Sequence, residues 1–440
     1  MINFTMKVYG CQMNVYDSNK LKTALKNRGW IESSDEQCAD VVIFTGCSVR
    51  DKAEQKVWSE LGRYSSSWEK FRRPVVAVTG CIAQNMGKKI LSRYPWVRLV
   101  SGPRHIGLVP DGLETALSEA AAGTRGRVIL LDEDPRAFTD IEIGDSPYFR
   151  LNRWRAFITI AHGCDNFCTY CIVPYVRGRF LSRPFDEIIK EAQILAGDGV
   201  AEITLLGQNV NSYPNFSTLL REVAKISGIE LVRFVTSLPQ DFSDEIITAM
   251  VEESRICPSI NLPIQAGSNK VLKRMNRKYT REEYFSLIER IRMRLPEVGI
   301  TSDLIVGFPG ESEEDFEQSI DALSRVRFDQ VHTAAYSIRE GTAAAGYPDQ
   351  LPHEVRMERL NRVNAIQNKI SLEINQGLVG KEFRILIDDF APKGEGLIQG
   401  RTPTDKVVLL NGDYSLLGSF ARVKITNAEN WCLSGEICGL

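Results

Sequence analysis

Three thiols stand within eight residues of one another in "HGCDNFCTYC", at Cys164, Cys168 and Cys171. That density is hard to explain by packing, because a single loop cannot bury three thiols for their own sake. A structural zinc or an ordinary electron-transfer iron–sulfur cluster takes four protein ligands. No fourth Cys or His follows at short spacing, and His162 falls on the strand approach, where a ligand would crowd the loop. Three thiolates on a 4Fe–4S cluster leave one iron without a protein ligand, open to a small chelating molecule. Zinc completed from elsewhere in the chain is the alternative.

A second set repeats one pattern. "MKVYGC", "VVIFTGC" and "PVVAVTGC" are short apolar runs, each closing on Gly-Cys, at Cys11, Cys47 and Cys81. The steps of 36 and 34 residues are about the size of one strand–helix–strand unit. Each thiol alone would read as a core cysteine. Together they predict convergence at the carboxyl edge of a parallel sheet, where such sheets bind ligands, and hence a second cluster. The preceding glycines let the backbone turn and approach it closely. Cys38 and Cys257 read as packing residues, and Cys432 and Cys438 as thiols near the chain's end, all without metal-ligand company.

The elements that must position these thiols follow from periodicity. "DSNKLKTALKNRG", Asp17 to Gly29, carries apolar residues at i, i+3 and i+4 with a glycine stop. Ala120 to Trp154 is turn-rich and reads as a connector. Six strand-like runs then alternate with amphipathic segments: "RAFITIAHGC", "AEITLLGQN", "LVRFVTS", "PSINLPIQ", "GITSDLIVGFPG" and "QVHTAAYS". In "SRPFDEIIKEAQILAGDG", for example, Ile188, Ala192 and Leu195 line one face. This predicts an α/β protein whose central six-stranded parallel sheet, open or partly closed, falls short of a full eight-fold barrel. "HEVRMERLNRVNAIQNKISLEINQGLVG" reads as a long helical linker. The short strands and glycine turns beyond it predict a small β-barrel of an oligonucleotide-binding kind. Domains of 1–140, 141–372 and 373–440 result.

At 440 residues, 43% hydrophobic and 25% charged, the composition is that of a soluble globular protein. No apolar run is long enough to span a bilayer. "MINFTMKVYG" lacks a secretory leader, which points to the cytoplasm. A net charge of −2 gives no global attraction to nucleic acid, so any RNA-binding face must be local. Arginine interleaves with aromatics at Tyr148, Phe149, Arg150, Arg153, Trp154 and Arg155, and again at Tyr175, Arg177, Arg179 and Arg183. Arginine pairs phosphates while rings stack on unpaired bases. Arg150, Arg153, Arg177 and Arg179 are therefore candidate substrate contacts, against the plain alternative of a solvated surface. The barrel-like tail, from Gln376 on, holds seven Lys/Arg against eight Asp/Glu, so its pattern and not its charge suggests RNA.

The loop holding Cys164, Cys168 and Cys171, followed by the six-strand alternation, resembles the radical S-adenosylmethionine (SAM) superfamily. With both triads in place the whole chain resembles the methylthiotransferase family, on its MiaB-type, tRNA-modifying branch. "YGCQMNVYDS", "GCDNFCTYCIVPYVRGR", "LLGQNVNSY" and "IVGFPGE" carry the likeness. It implies an N-terminal three-cysteine domain, a radical SAM partial (β/α)6 barrel and a C-terminal TRAM barrel. It further implies that Cys164, Cys168 and Cys171 hold the SAM-cleaving 4Fe–4S cluster, and Cys11, Cys47 and Cys81 an auxiliary one. Tyr170 falls where the superfamily contacts adenine, and Gln208 and Ser237, at strand ends, are expected SAM contacts. The implied substrate is tRNA bearing N6-isopentenyladenosine, methylthiolated at C2 by a single chain drawing electrons from a flavodoxin- or ferredoxin-like donor. Threonylcarbamoyl-adenosine in tRNA and a ribosomal-protein aspartate are rival substrates; a non-catalytic iron–sulfur RNA-binding or redox-sensing protein is the rival class. The sequence departs from the family's pattern at Thr45-Gly46, Leu238 and Asn261.

Overall fold

A computed structural model describes residues 1–49, 51–64, 74–124, 126–131, 134, 138–141, 152–391 and 396–439. The chain divides into two compact units. One comprises Met1–Phe149, Ala161–Phe167 and Cys171–Arg183, the other Arg150–Ile160, Cys168–Tyr170 and Pro184–Leu440.

The first unit is built on a six-stranded parallel sheet of β1 (Asn3–Tyr9), β2 (Ile31–Glu32), β3 (Val41–Gly46), β4 (Val75–Thr79), β5 (Val97–Ser101) and β6 (Val128–Leu130). The strand order is β2-β1-β3-β4-β5-β6. Every residue of β3, β4 and β5 is buried, as expected of a parallel sheet covered on both faces. Alternation assigns the faces: Val41 and Ile43 pack in one core with Leu21, Leu25 and Leu113. Val42 and Phe44 pack in the other with Val57, Leu61 and Ile90. The expected connector contributes β6, so only part of it is loop.

The first helix, Gln12–Asn27, starts directly after Cys11 instead of at Asp17. Its opening turns bury Asn14, Asp17 and Ser18 as well as Tyr16, and these polar residues break the apolar period that would have marked them as helical. A two-stranded hairpin of β8 (Ala161–His162) and β9 (Leu181–Ser182) also belongs to this unit.

In the second unit β7 (Arg155–Thr159), β10 (Glu202–Leu206) and β11 (Leu231–Phe234) form a parallel sheet in the order β11-β10-β7. β12 (Ser259–Asn261), β13 (Gly299–Val306) and β14 (Gln330–Ala335) form another, in the order β12-β13-β14. The six expected strands are thus present, and Cys257 N donates to Val232 O at 2.9 Å to carry the run from one sheet toward the next. The helix His353–Gln376 lies against this body and does not simply link two domains. Val363 and Ile370 are buried, and Gln367 Nε2 and Ser371 Oγ donate to the carbonyls of Phe328 and Asp329 at 2.9 and 2.8 Å. After it, β15 (Glu382–Phe390), β16 (Leu397–Arg401), β17 (Val407–Asn411), β18 (Phe420–Ala428) and β19 (Leu433–Gly439) close into a barrel in the order β15-β16-β17-β19-β18.

A buried charge network fastens that barrel to the strands' amino-terminal ends. Arg155 donates to Glu202 at 2.7 Å and to Asp388 at 2.5 Å. Arg233 donates to the carbonyls of Pro403 and Thr402 at 3.0 and 2.9 Å, with Nε 3.2 Å from Glu202. Although burial opposes its charge, the two arginines hold the Glu202 carboxyl down to about 2. A carboxylate depressed in the fold contributes stability above its unfolded pKa, near 4.5, and loses it as pH falls toward 2. Glu202→Gln should therefore cost about 3–5 kcal/mol at neutral pH. Chemical denaturation across that acid range should show a shallower loss of stability in the variant than in the parent.

Candidate functional site

The strand order of the first unit reverses direction between β1 and β3, which opens a crevice at their carboxyl ends. Cys11 and Cys47 flank it, and Cys81 follows the next strand. Register brings Tyr9 beside Gly46 and Thr45 beside Thr79, so the three Gly-Cys steps fall side by side. Space is tight there: a Cβ on Gly10 would lie 2.8 Å from Cys47 Cβ. At Gly80, where φ is +86°, a side chain would strain the backbone and meet Gly46 O at 3.0 Å. Two of the thiols sit at helix starts, Cys11 as the residue preceding Gln12–Asn27 and Cys81 as the first residue of Cys81–Arg93. Helix amino ends favour negative charge and so favour thiolates.

Hydrogen bonding from Cys47 holds the Cys11 thiol well below its ordinary range, despite burial, with the Arg177 charge assisting. The same bond, with burial, pushes Cys47 up. Burial raises Cys81 against the pull of Arg177. Asn14 accepts from Cys11 Sγ at 3.3 Å and donates to Gly46 O at 3.3 Å, bridging two of the Gly-Cys steps. Arg177 donates through Nε to Cys81 Sγ at 3.2 Å and through Nη2 to Asp17 at 2.9 Å. Asn14 and Asp17 carry no sequence signal of their own, since each is an ordinary polar residue near a helix start.

The loop holding the other three thiols is closed at its base by the β8–β9 pair and by Cys164 N donating to Gly178 O at 3.1 Å. Gly163 permits this closure: φ is +68°, and a Cβ would stand 2.1 Å from Arg179 O. His162 on β8 is buried, with its ring against Phe138 at 4.3 Å. All three cysteines remain partly accessible. Asn166 Nδ2 donates to Cys164 Sγ at 3.3 Å. Arg277 Nη1 donates to Cys168 Sγ at 3.3 Å while its Nε donates to Tyr279 OH at 3.1 Å. Arg277 is held above its usual range, against the opposing effect of burial, by Tyr279, Tyr170 and Cys168. It lies 109 residues from Cys168, so nothing local in the sequence pairs them.

Tyr170 is half-buried within the second unit, and Gln208, past the end of β10, is also half-buried. Ser237 follows β11; it is fully buried and its Oγ has no hydrogen-bond partner among the described residues. A small polar molecule at the strand ends would supply that partner. Of the candidate RNA contacts, Arg150 lies outside the described residues, as do Tyr148 and Phe149. Arg153 is exposed and stacks over Trp154 at 4.9 Å. Arg179 is exposed, paired to Asp165 at 2.6 Å and stacked over Phe167 at 5.5 Å. Phe167 and Tyr175 meet edge to face at 6.1 Å, both exposed. Arg177 is instead buried. Cys257 is buried as expected, whereas Cys38 is exposed, in a short 3-10 turn where its thiol bonds Asp35. No helix among the described residues is long and apolar enough to cross a membrane.

Comparison with known proteins matches residues 158–323 to the Radical SAM superfamily. Residues 3–102 match Uncharacterized protein family UPF0004 and residues 376–438 the TRAM domain. The chain is 44% identical to the tRNA-2-methylthio-N(6)-dimethylallyladenosine synthase of Thermoanaerobacter sp. (strain X514), over 99% of this chain and 92% of that protein. It is 42% identical to the synthase of the same name from Moorella thermoacetica, over 99% of this chain and 98% of the relative. The chain belongs to this family of radical SAM methylthiotransferases. In fold it is similar to the radical SAM methyltransferase TsrM from Kitasatospora setae, with a TM-score of 0.56 at 16% identity, covering 90% of this chain and 80% of that one.

The residues of this methylthiotransferase fit the iron–sulfur cluster that a radical SAM domain implies. The donors are thiols on a loop closed at its base, supported by Asn166 and Arg277. Among the described residues, no three His, Cys, Asp or Glu side chains close on a single metal ion; a cubane instead takes one thiolate per iron. At Leu238 and Asn261 the structure shows local hydrogen bonds. Asn211 clasps Leu238 through both its N–H and its carbonyl, each at 2.8 Å. Asn261 reaches Thr301 and Asp303 at 3.2 and 3.3 Å. Because outer partners of metal ligands are worth about 10–100-fold in metal affinity, Arg277→Gln should lose iron from this loop to a chelator faster by that order. Timed absorbance of the reconstituted protein, with Arg277→Lys alongside, measures the loss.

Proposed function

We propose that the protein methylthiolates C2 of N6-isopentenyladenosine at position 37 of tRNA, using two 4Fe–4S clusters. Full-length identity to synthases of that activity is the observation that carries this reading. Cys164, Cys168 and Cys171 hold the SAM-binding cluster, and Cys11, Cys47 and Cys81 the auxiliary one. Tyr170, Gln208 and Ser237 line the SAM site. Bound SAM and cluster supply a carbon-centred radical, and a second SAM a methyl group, as an aromatic C–H inert to acid–base chemistry requires.

The chain's own residues prepare that event. The switch-point edge buries Cys47 and Cys81 and leaves Cys11 partly accessible, and the closed loop fixes the other three. Ile172 and Val176, directly beyond Cys171, pack on Cys81 within the same unit. Within the first unit, Phe167, Tyr175 and Arg179 offer ring faces and a guanidinium group to an unpaired anticodon loop; Arg153 and Arg150 are separate candidate RNA contacts. Domains of 1–140, 141–372 and 373–440 carry the auxiliary centre, the radical chemistry and RNA binding. The enzyme works in the cytoplasm as a single chain, on electrons from a flavodoxin- or ferredoxin-like donor.

Anaerobic reconstitution, reduction and incubation with SAM and isopentenylated tRNA should yield 2-methylthio-N6-isopentenyladenosine by nucleoside mass spectrometry. 5′-Deoxyadenosine without that nucleoside would move the substrate to threonylcarbamoyl-adenosine or the ribosomal protein. Absence of SAM cleavage would favour a binding protein. Replacing either cysteine triad by alanine should halve bound iron, from about eight to about four per chain. Tyr175→Ala should raise KM for tRNA about tenfold, the loss of one stacked base, while SAM cleavage without tRNA stays unchanged and Tyr175→Phe restores KM.

A further inference from the structure

Arg177 carries a charge but does not present it to solvent. Its side chain is 4% exposed and that of its partner Asp17 is 7% exposed. The guanidinium is divided between two acceptors, Asp17 Oδ2 at 2.9 Å and Cys81 Sγ at 3.2 Å. Asp17 rides on the helix that starts beside Cys11, and Arg177 on the loop limb whose Ile172 and Val176 pack on Cys81.

A buried ion pair adds little to stability, and apolar residues of equal volume would serve the fold as well or better. A use at the site accounts for its position. Three thiolates gathered at one sheet edge, two of them on buried residues, repel one another and need a cation that cannot drift away. Hydrogen bonds to cluster sulfurs set reduction potential, and bonds to ligand atoms fix ligand orientation. Arginine suits such a post because its planar fork can serve a carboxylate and a sulfur at once without losing its proton.

We propose that Arg177, aimed and held by Asp17, is a positioning residue of the auxiliary centre: it fixes the Cys81 thiolate and sets the potential of the cluster that this thiolate helps to hold. The proposal rests on the auxiliary-cluster reading above. It gives the two members of the pair opposite electrical effects. Removing the cation leaves the cluster's negative charge less compensated and makes reduction harder. Removing the anion frees more of the arginine's field for the cluster and makes reduction easier. Either change loosens Cys81.

The test uses the full-length chain with Cys164, Cys168 and Cys171 replaced by alanine, so that one cluster gives the whole signal. Iron content, midpoint potential by EPR-monitored titration and rate of loss to a chelator are read for this chain and for added Arg177→Gln, Arg177→Lys and Asp17→Asn. Thermal unfolding of the iron-free proteins checks the fold. Arg177→Gln should move the potential down and Asp17→Asn should move it up. Both should lose iron about 10–100-fold faster, and Arg177→Lys should keep most of the potential while losing iron faster. If Arg177→Gln does not fold, the upward shift in Asp17→Asn and the near-parental potential of Arg177→Lys carry the test. Unchanged potentials, or shifts of one sign in Arg177→Gln and Asp17→Asn, overturn the proposal. Failure of the background chain to take up iron overturns the auxiliary-cluster reading beneath it.

Discussion

Three thiols brought to one sheet edge would repel one another once ionised, and the polypeptide can offset that repulsion only with whatever positive ends it places there. Much of the first unit follows from this constraint. Two helices begin at Cys11 and Cys81, pointing their amino ends at the sulfurs. The strand order reverses between the strands that deliver Cys11 and Cys47, so the crevice arises from topology and needs no special loop. Glycine precedes each cysteine where neighbouring atoms leave little room for a Cβ, side chains at Gly10 and Gly46 and the Gly46 carbonyl at Gly80.

The radical loop meets the same problem by another route. It lies beyond a two-residue hairpin and not at a sheet's switch point, and its thiols stay partly open, as they must if a small molecule is to reach the iron. Its supports come from far along the chain: Arg277 bonds Cys168, and Thr169 donates to the Arg274 carbonyl at 2.9 Å. Phe167, in the left-handed region at φ +46°, keeps its ring exposed. Backbone strain and an exposed ring on one residue are costs that packing does not repay, and such residues gather at ligand-handling sites.

Sequence patterns disclosed the three strands that end in Gly-Cys, the six central strands and both thiol groups, because such runs and endings are local signals, whereas β2, β5, β6 and β19 were not singled out. They misplaced the start of the first helix, since Asn14, Asp17 and Ser18 are polar and yet buried. They gave Arg177 to RNA because arginine beside aromatics looks alike whether it faces solvent or a buried carboxylate. Arg277 was invisible for a simpler reason: a partner 109 residues away leaves no mark in a spacing. The long helix looked like a linker because its buried side chains include Gln367 and Ser371, whose partners are backbone carbonyls supplied by the body it covers.

The Arg155–Glu202–Asp388 network has a geometric meaning besides its energy. It ties the terminal barrel to the first residues of β7 and β10, while Gln208 and Ser237 lie past the opposite ends of such strands. Five residues of strand span roughly 16 Å. Buried charged side chains thus join barrel and sheet directly at that junction. The barrel therefore stands one strand length from those far strand ends, and any single ligand reaching from one to the other would have to match that span.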